Sequence, residues 1–309
     1  MYDNIEMTLR KDQNPGDGFL ETIPKHLTNI TSQGISQFGE YVTGYLDSLK
    51  VSISENRVKV YDSSLCKYLL GDNFKTLTRG DTKRAIEKIS DNLHLPFQLS
   101  NVTRIDFANN FIMQFPEEIY YPYLGEAQYY SRLPQPNGLY YNNQLRQLVF
   151  YGKEYEQKVK RQPIPELYKN RNVLRYEIRF KKQLRQQFKK PVITAGLLTD
   201  EAFYNELLNR WKSGYFSIQK INSKLINMKP TGSKKELAEN LALYSIVELG
   251  QSQVLNKVKE WQISGDISKK QAYDLRTFIK ELTKAPINEK GNDLIIELNK
   301  KIKEAARCY

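Results

Sequence analysis

LRYEIRF, residues 174–180, alternates strictly: Leu174, Tyr176, Ile178 and Phe180 fall on one side of an extended chain, and Arg175, Glu177 and Arg179 on the other. Two upstream stretches repeat the pattern. In TRIDF, residues 103–107, Arg104 and Asp106 share a face opposite Ile105 and Phe107. In LVFYGK, residues 148–153, Tyr151 and Lys153 lie together opposite Leu148 and Phe150. The spacing predicts strands of one sheet with an apolar face on a core and a wet face carrying ionisable groups.

Working outward, MYDNIEMTLRK at the start reads as a first strand, and residues 13–45 as a polar stretch containing Gly and Thr. SLKVSISENRVKVYDSSL (48–65) alternates around an Asn-containing turn and predicts a β-hairpin. TRGDTKRAIEKISDNL (78–93) changes to the period of an amphipathic helix. Strand-like segments return at 102–113, 138–142, 146–155 and 173–181, between loops rich in Pro, Gly and Tyr. The basic run KKQLRQQFKKP closes at Pro191, and from Leu198 onward the pattern is almost wholly helical. Ser233 and Glu236 have capping-box spacing, Gly250 stops the helix that follows, a second helix covers about 252–263, and Ser268 with Gln271 caps a third. The expected architecture is α+β: a sheet-centred domain over 1–190, then a helical domain over 191–309 with no internal repeat. The pair of helices across 252–283, with Lys257, Lys259, Lys269, Lys270 and Arg276 nearby, matches a helix-turn-helix and equally an ordinary bundle with a solvated basic face.

Composition narrows the partners. The chain has 309 residues, 40% of them hydrophobic, with 47 Lys and Arg against 35 Asp and Glu, a formal charge of +12. That field favours a polyanion, nucleic acid before anionic membrane. Mean hydropathy is −0.62, and no apolar run approaches the roughly 20 residues needed to span a bilayer. With no apolar leader segment, a cytoplasmic protein is expected. Cys66 and Cys308, the two cysteines, stand far apart, which excludes a disulfide framework or zinc cluster, and His26 and His94 are the two histidines. A metal must therefore lean on carboxylates, which suits Mg²⁺ or Mn²⁺.

The ionisable face has the parts for phosphoryl chemistry. Solvent-facing strand positions usually carry Thr, Ser or Lys, yet here two acids stand among three arginines, with a tyrosine and a lysine on the intervening strand. Asp106 and Glu177 are placed to hold a hard cation; Arg104, Arg175, Arg179 and Lys153 to neutralise a scissile phosphate; Tyr151 to act as nucleophile. Arg104–Asp106 and Arg175–Glu177 would look the same as plain surface ion pairs, worth at most about 1 kcal/mol each. Any of the 21 tyrosines is more often packing than catalytic, and Tyr140, Tyr141 and Tyr155 stand close enough to replace Tyr151.

The order RID, then Tyr151-x-Lys153-x-x-Glu156, then Arg175-x-Glu177-x-Arg179 with Lys181 following resembles the replication initiators of filamentous phages, the gene II/X class. More loosely it is similar to rolling-circle plasmid initiators. The likeness runs over most of residues 1–215, including the segment ending LLGDNF at 69–74. It implies an antiparallel-sheet, nicking-endonuclease-like catalytic domain over 1–190 ahead of the helical C-terminal domain, a site-specific nick at a replication origin, a covalent 5′-phosphotyrosine intermediate, later strand rejoining, and work alongside a host helicase and polymerase. The family's nucleophile falls on Tyr151 and its acidic positions on Asp106 and Glu177; Lys181, like Lys269 and Lys270 in the helical part, is a candidate DNA contact. The chain departs from the wider group of nicking endonucleases in one respect, since neither His26 nor His94 has the His-hydrophobic-His neighbour that usually binds the metal. Two rivals remain open from the residues alone. One is a non-enzymatic origin-binding initiator or repressor, and the other an RNA-binding module that stacks bases on its tyrosines.

Overall fold

The computed structural model describes residues 1–14, 18–37, 39–221, 233–284 and 293–307, so Cys308 lies outside the described residues. In chain order the elements are β1 (Tyr2–Arg10), α1 (Phe19–Thr22), β2 (Asn29–Ser36), β3 (Gly39–Leu46), β4 (Leu49–Ser54), β5 (Arg57–Tyr61), α2 (Leu65–Leu70) and α3 (Arg79–Leu93). Then come β6 (Asn101–Met113), β7 (Leu124–Ala127), β8 (Ser131–Gln135), β9 (Gly138–Asn142), β10 (Arg146–Gly152), α4 (Lys153–Val159) and β11 (Asn172–Phe180). The chain continues with α5 (Leu184–Phe188), α6 (Glu201–Phe216) and β12 (Ile218–Lys220). Four further helices follow, α7 (Lys234–Leu249), α8 (Gln251–Ser264), α9 (Lys269–Lys284) and α10 (Asp293–Ala305).

Ten strands form one antiparallel sheet in the order β2-β3-β4-β5-β1-β6-β11-β10-β9-β8. The three diagnostic stretches become its centre, because β6, β11 and β10 are neighbours, with Arg179 opposite Asp106 and Arg175 opposite Tyr151. The apolar side of these strands carries the core. Ile105, Phe107, Leu148, Phe150, Tyr176 and Ile178 are buried there with Trp211, Tyr204 and Tyr215 of α6. Phe150 stacks on Tyr176 at 4.6 Å between ring centroids, and the Tyr176 hydroxyl donates to the Trp211 carbonyl at 3.0 Å. Helix α6 comes this close because Gly214 faces the sheet; a Cβ there would stand 3.0 Å from the Tyr176 hydroxyl. Helix α3 forms as its period predicts, with Thr78 and Asp81 in a reciprocal cap, Ala85, Ile86, Ile89 and Leu93 turned inward, and His94 ending it in the left-handed region at φ 53°.

Three sequence expectations change. The polar stretch 13–45 contains the β2–β3 hairpin; every residue of β2 is exposed, so no hydrophobic alternation marks it. The segment 146–155 is strand only to Gly152, and Lys153 opens a helix. The region after Leu198 is interrupted by β12, which pairs with β7.

The main core also takes in α6 and, through Ile295, Leu298 and Ile302, helix α10. Tyr215 of α6 donates to Asn299 at 2.8 Å, and Glu297 accepts from the Gln114 backbone N–H at 3.0 Å. Helices α7, α8 and α9 gather around a second, small core of Ile246, Val258, Ala272 and Ile279. The turn between α8 and α9 uses Gly265 at φ 80°, and Ser268 and Gln271 cap α9 through reciprocal backbone bonds.

Candidate active site

The ionisable side of β6, β11 and β10 forms a diagonal row. Arg104 grips Asp106 with two bonds, Nε to Oδ1 at 2.9 Å and Nη2 to Oδ2 at 2.7 Å. Arg179 holds Glu177 in the same way, at 2.9 and 3.3 Å, and also donates to the Gln147 amide oxygen at 3.0 Å. Arg179 Nε stands 4.0 Å from Asp106, which links the two pairs. Arg175 lies 3.6 Å from Glu177, pairs with Asp3, and donates to the Asn110 side chain at 3.1 Å and the Asn73 carbonyl at 3.3 Å.

This face is far drier than a solvated sheet face. Asp106 and Glu177 are each 2% exposed and Arg175 1%, whereas side chains of Arg104 and Arg179 keep 24%. The cover comes from segment 72–77, α2 and α4. Asn110 donates to the carbonyls of Asn73 and Phe74, Phe74 packs on Tyr168, and Ser64 at the start of α2 bonds Asp3. Lys153 is wholly buried at the head of α4, joined to Glu156 at 2.5 Å and lying 5.8 Å above the Phe74 ring. It therefore reaches the Arg175 end of the row as a helix residue, although the strand that was to carry it beside Tyr151 has ended.

Burial of this much charge shifts proton affinities in opposite directions. Burial and the charge of Glu177 push the Asp106 carboxyl up to about 7, against the pull of Arg104. Burial acts upward on Glu177 too, but Arg179 and Arg175 together overcome it and hold that carboxyl below its usual range. Burial lowers Lys153 to about 8, reinforced by Arg175 and opposed by Glu156. Glu156, held by Lys153 and Lys160, drops to about 2 in spite of its burial.

Tyr151 faces Arg175 across the β10–β11 ladder, two residues from Glu177 along it. Burial raises its phenol well above the usual value, while Arg175 pulls it down. Its other neighbour, on β9, is Gly138, where a Cβ would meet the Tyr151 Cβ at 3.3 Å, so a small residue keeps that side open. The competing tyrosines separate by environment. Tyr141 is fully buried in the apolar core with its hydroxyl on the Leu124 and Gly125 carbonyls, and Tyr155 is exposed on α4, bonded by Asn137. Tyr140 sits opposite Val149 on the ionisable face, one strand beyond.

The donor chemistry suits a hard cation between Asp106 and Glu177, since Mg²⁺ is commonly held by one or two carboxylates plus water and phosphate oxygens. Among the described residues no group of at least three His, Cys, Asp or Glu gathers to bind a metal. An ion at this pair would therefore have to draw its remaining ligands from Gln147, water or substrate, and displace guanidinium contacts. His26 and His94 pack against each other at 4.7 Å between ring centroids.

Asp3, Asn110, Asn73 and Gln147 were not singled out from sequence. Asp3 was hidden by a register shift in β1: Tyr2 and Ile5 both pair on the apolar side, so the two residues between them bulge and Asp3 turns to the ionisable side. Lys181 follows β11 directly and is exposed. Lys269 and Lys270 are exposed in the first turn of α9, in the bundle with the second core.

Residues 1–206 match the family model that describes the N-terminal part of the phage replication-associated protein of the gene II type. No curated protein matches the chain.

Proposed function

The chain belongs to the gene II-type family of phage replication initiators, and on that premise we propose that it starts rolling-circle replication by nicking one DNA strand at an origin through Tyr151, forming a covalent 5′-phosphotyrosine link that is later resolved by rejoining. The observation that carries this reading is the placement of Tyr151 directly across from buried Arg175, with Glu177 two residues along the same strand and Asp106 further on. Burying so many charges costs stability unless each is paired, and a binding surface has no need of it.

The residues divide the work as follows. The Tyr151 oxygen attacks phosphorus, the P–O3′ bond breaks, and the leaving oxygen takes a proton from water to end its strand in a 3′-hydroxyl. Glu177, ionised and nearest along the row, accepts the phenolic proton. Arg175 stabilises the developing phenolate, and Arg179 and Arg104, the partly exposed members, meet the phosphate oxygens. Lys153 with Glu156 fixes the α4 side of the pocket and keeps a cation close to the leaving oxygen. Asp106 and Glu177 would hold Mg²⁺ or Mn²⁺, which when bound supplies charge neutralisation at the scissile phosphate. Lys181, and Lys269 with Lys270 in a helix-turn-helix over 252–283, contribute DNA affinity. Lysines at the start of a helix oppose its dipole, so their place in α9 favours a role in binding over one in stability.

Host helicase and polymerase would follow the nick, and the cytoplasm is the expected location; no helix among the described residues is long and apolar enough to cross a membrane. The test is incubation of supercoiled origin DNA with the protein and Mg²⁺ or Mn²⁺. Open circles with protein-linked strands are expected. Salt-sensitive binding without any nick would leave a non-enzymatic origin-binding protein instead, and preference for unpaired RNA would leave an RNA-binding module.

A further inference from the structure

The ionisable face does not stop at Arg104. Glu6, Thr8 and Arg10 of β1 continue it, because Glu6 pairs with Arg104, Thr8 with Asn101 and Lys59, and Arg10 with Arg57. The result is a groove of about 640 Å³ that begins two residues beyond Asp106 on β6. Its cations are Arg10, Arg57, Lys59, Arg104, Lys181 and Arg185, against Glu6 as the one carboxylate in its wall. Lys59 neutralises Glu6 at 2.8 Å, and Arg104 is engaged with Asp106. Among the described residues, Arg10, Arg57, Lys181 and Arg185 are in no ion pair and stand exposed. Like charges this close repel one another, which is visible at Lys181: burial, and then Arg179 and Arg104, lower its proton affinity. A polyanion would relieve that repulsion.

We infer that this groove is the track for the single-stranded DNA leading away from the nick, its phosphates lying on Arg10, Arg57, Lys181 and Arg185. The inference rests on the nicking function proposed above and adds the path of the strand. Two features point to a strand read by its backbone. The cations run from Arg57 on β5 through Arg10 on β1 and Arg104 on β6 to Lys181 just beyond β11, three strand spacings or about 14 Å, a run that one stretch of sugar-phosphate chain can cover. Among the described residues that line the groove none is aromatic, so there is no platform on which bases stack. Contacts would be to phosphates, independent of base sequence. The track shares Arg104 with the active site, so a strand lying in it arrives at Asp106 and Arg179 in register.

The experiment uses the full chain and fluorescein-labelled dT20, read by anisotropy across a salt series. Arg10→Ala, Arg57→Ala and Arg185→Ala together should raise Kd at least tenfold. They should also flatten the slope of log K against log salt by roughly 2, the release expected for three phosphates on a single strand. Thermal stability should be unchanged because all three side chains are exposed. Wild-type protein that fails to bind dT20, or a folded triple variant with unaltered Kd and slope, would overturn the track. So would a duplex of equal length that competes as well as dT20. Photocrosslinking with 5-iodouracil in the oligonucleotide gives a second reading: adducts within 57–61, 101–104 or 181–193 support the track, and adducts confined to 234–284 refute it. Binding of dT20 is read without any nick, so loss of the nicking reading would leave this result standing on its own.

Discussion

The centre of the sheet and the α7–α9 bundle both present basic residues, and they treat charge in opposite ways. On the sheet, Arg175, Asp106 and Glu177 are almost completely buried and locked by ion pairs with Arg104, Arg179 and one another. In the bundle, Lys269 and Lys270 stand in water on a helix around a four-residue buried core. Desolvated charges cost several kcal/mol each before pairing, whereas exposed ones cost almost nothing. On the proposed function the difference separates chemistry from affinity: the sheet would keep groups whose positions must not vary, and the bundle would add a field that steers DNA.

The sharpest break of that contrast is Tyr151→Phe, which should abolish the protein–DNA adduct while leaving binding and folding intact, as seen on a denaturing gel of labelled origin DNA. Next, Glu177→Gln should lower the nicking rate by about 10²-fold or more in single-turnover assays. Arg175→Met comes third and reads out in stability. It leaves Asp3 buried without its cation and Glu177 with Arg179 alone, and about 3–5 kcal/mol should be lost in urea denaturation.

A smaller effect concerns pH. The folded Asp106 carboxyl titrates at about 7 against an ordinary 3.8, so its protonated form is the one the fold favours. Its contribution to stability is full below the ordinary value and is lost as pH rises through 7. Melting curves should therefore show wild type falling relative to Asp106→Asn between pH 5 and about pH 8, and Mg²⁺ should restore part of the deficit in wild type only. Smallest of all, Lys269→Ala with Lys270→Ala should weaken DNA binding by less than tenfold and leave the rate of nicking of bound DNA unchanged.

Strand alternation made the middle of the sheet legible, because a period of two fixes which side chains share a face whatever the neighbours are. It placed Arg104 with Asp106, and Arg175, Glu177 and Arg179 together, and the register then brought them opposite one another. What alternation cannot carry is anything that breaks it. The bulge in β1 concealed Asp3, and the strand-to-helix change at Gly152 moved Lys153 onto α4. The exposed strand β2 gave no apolar period to read. Burial of the ionisable face was equally invisible, since its cover comes from segment 72–77, remote in sequence and joined through carbonyls that any residue possesses. The groove from Arg104 to Arg57 needed the sheet order itself, which sets β5 next to β1 and β1 next to β6.

The most direct test of the central claim is to map the covalent bond. Origin DNA nicked in Mg²⁺ would be digested with nuclease and protease, and the nucleotide-bearing peptide sequenced by mass spectrometry. The account predicts a phosphotyrosyl linkage on Tyr151; a linkage on Tyr140 or any other residue, or nicked DNA with no linked peptide, would contradict it.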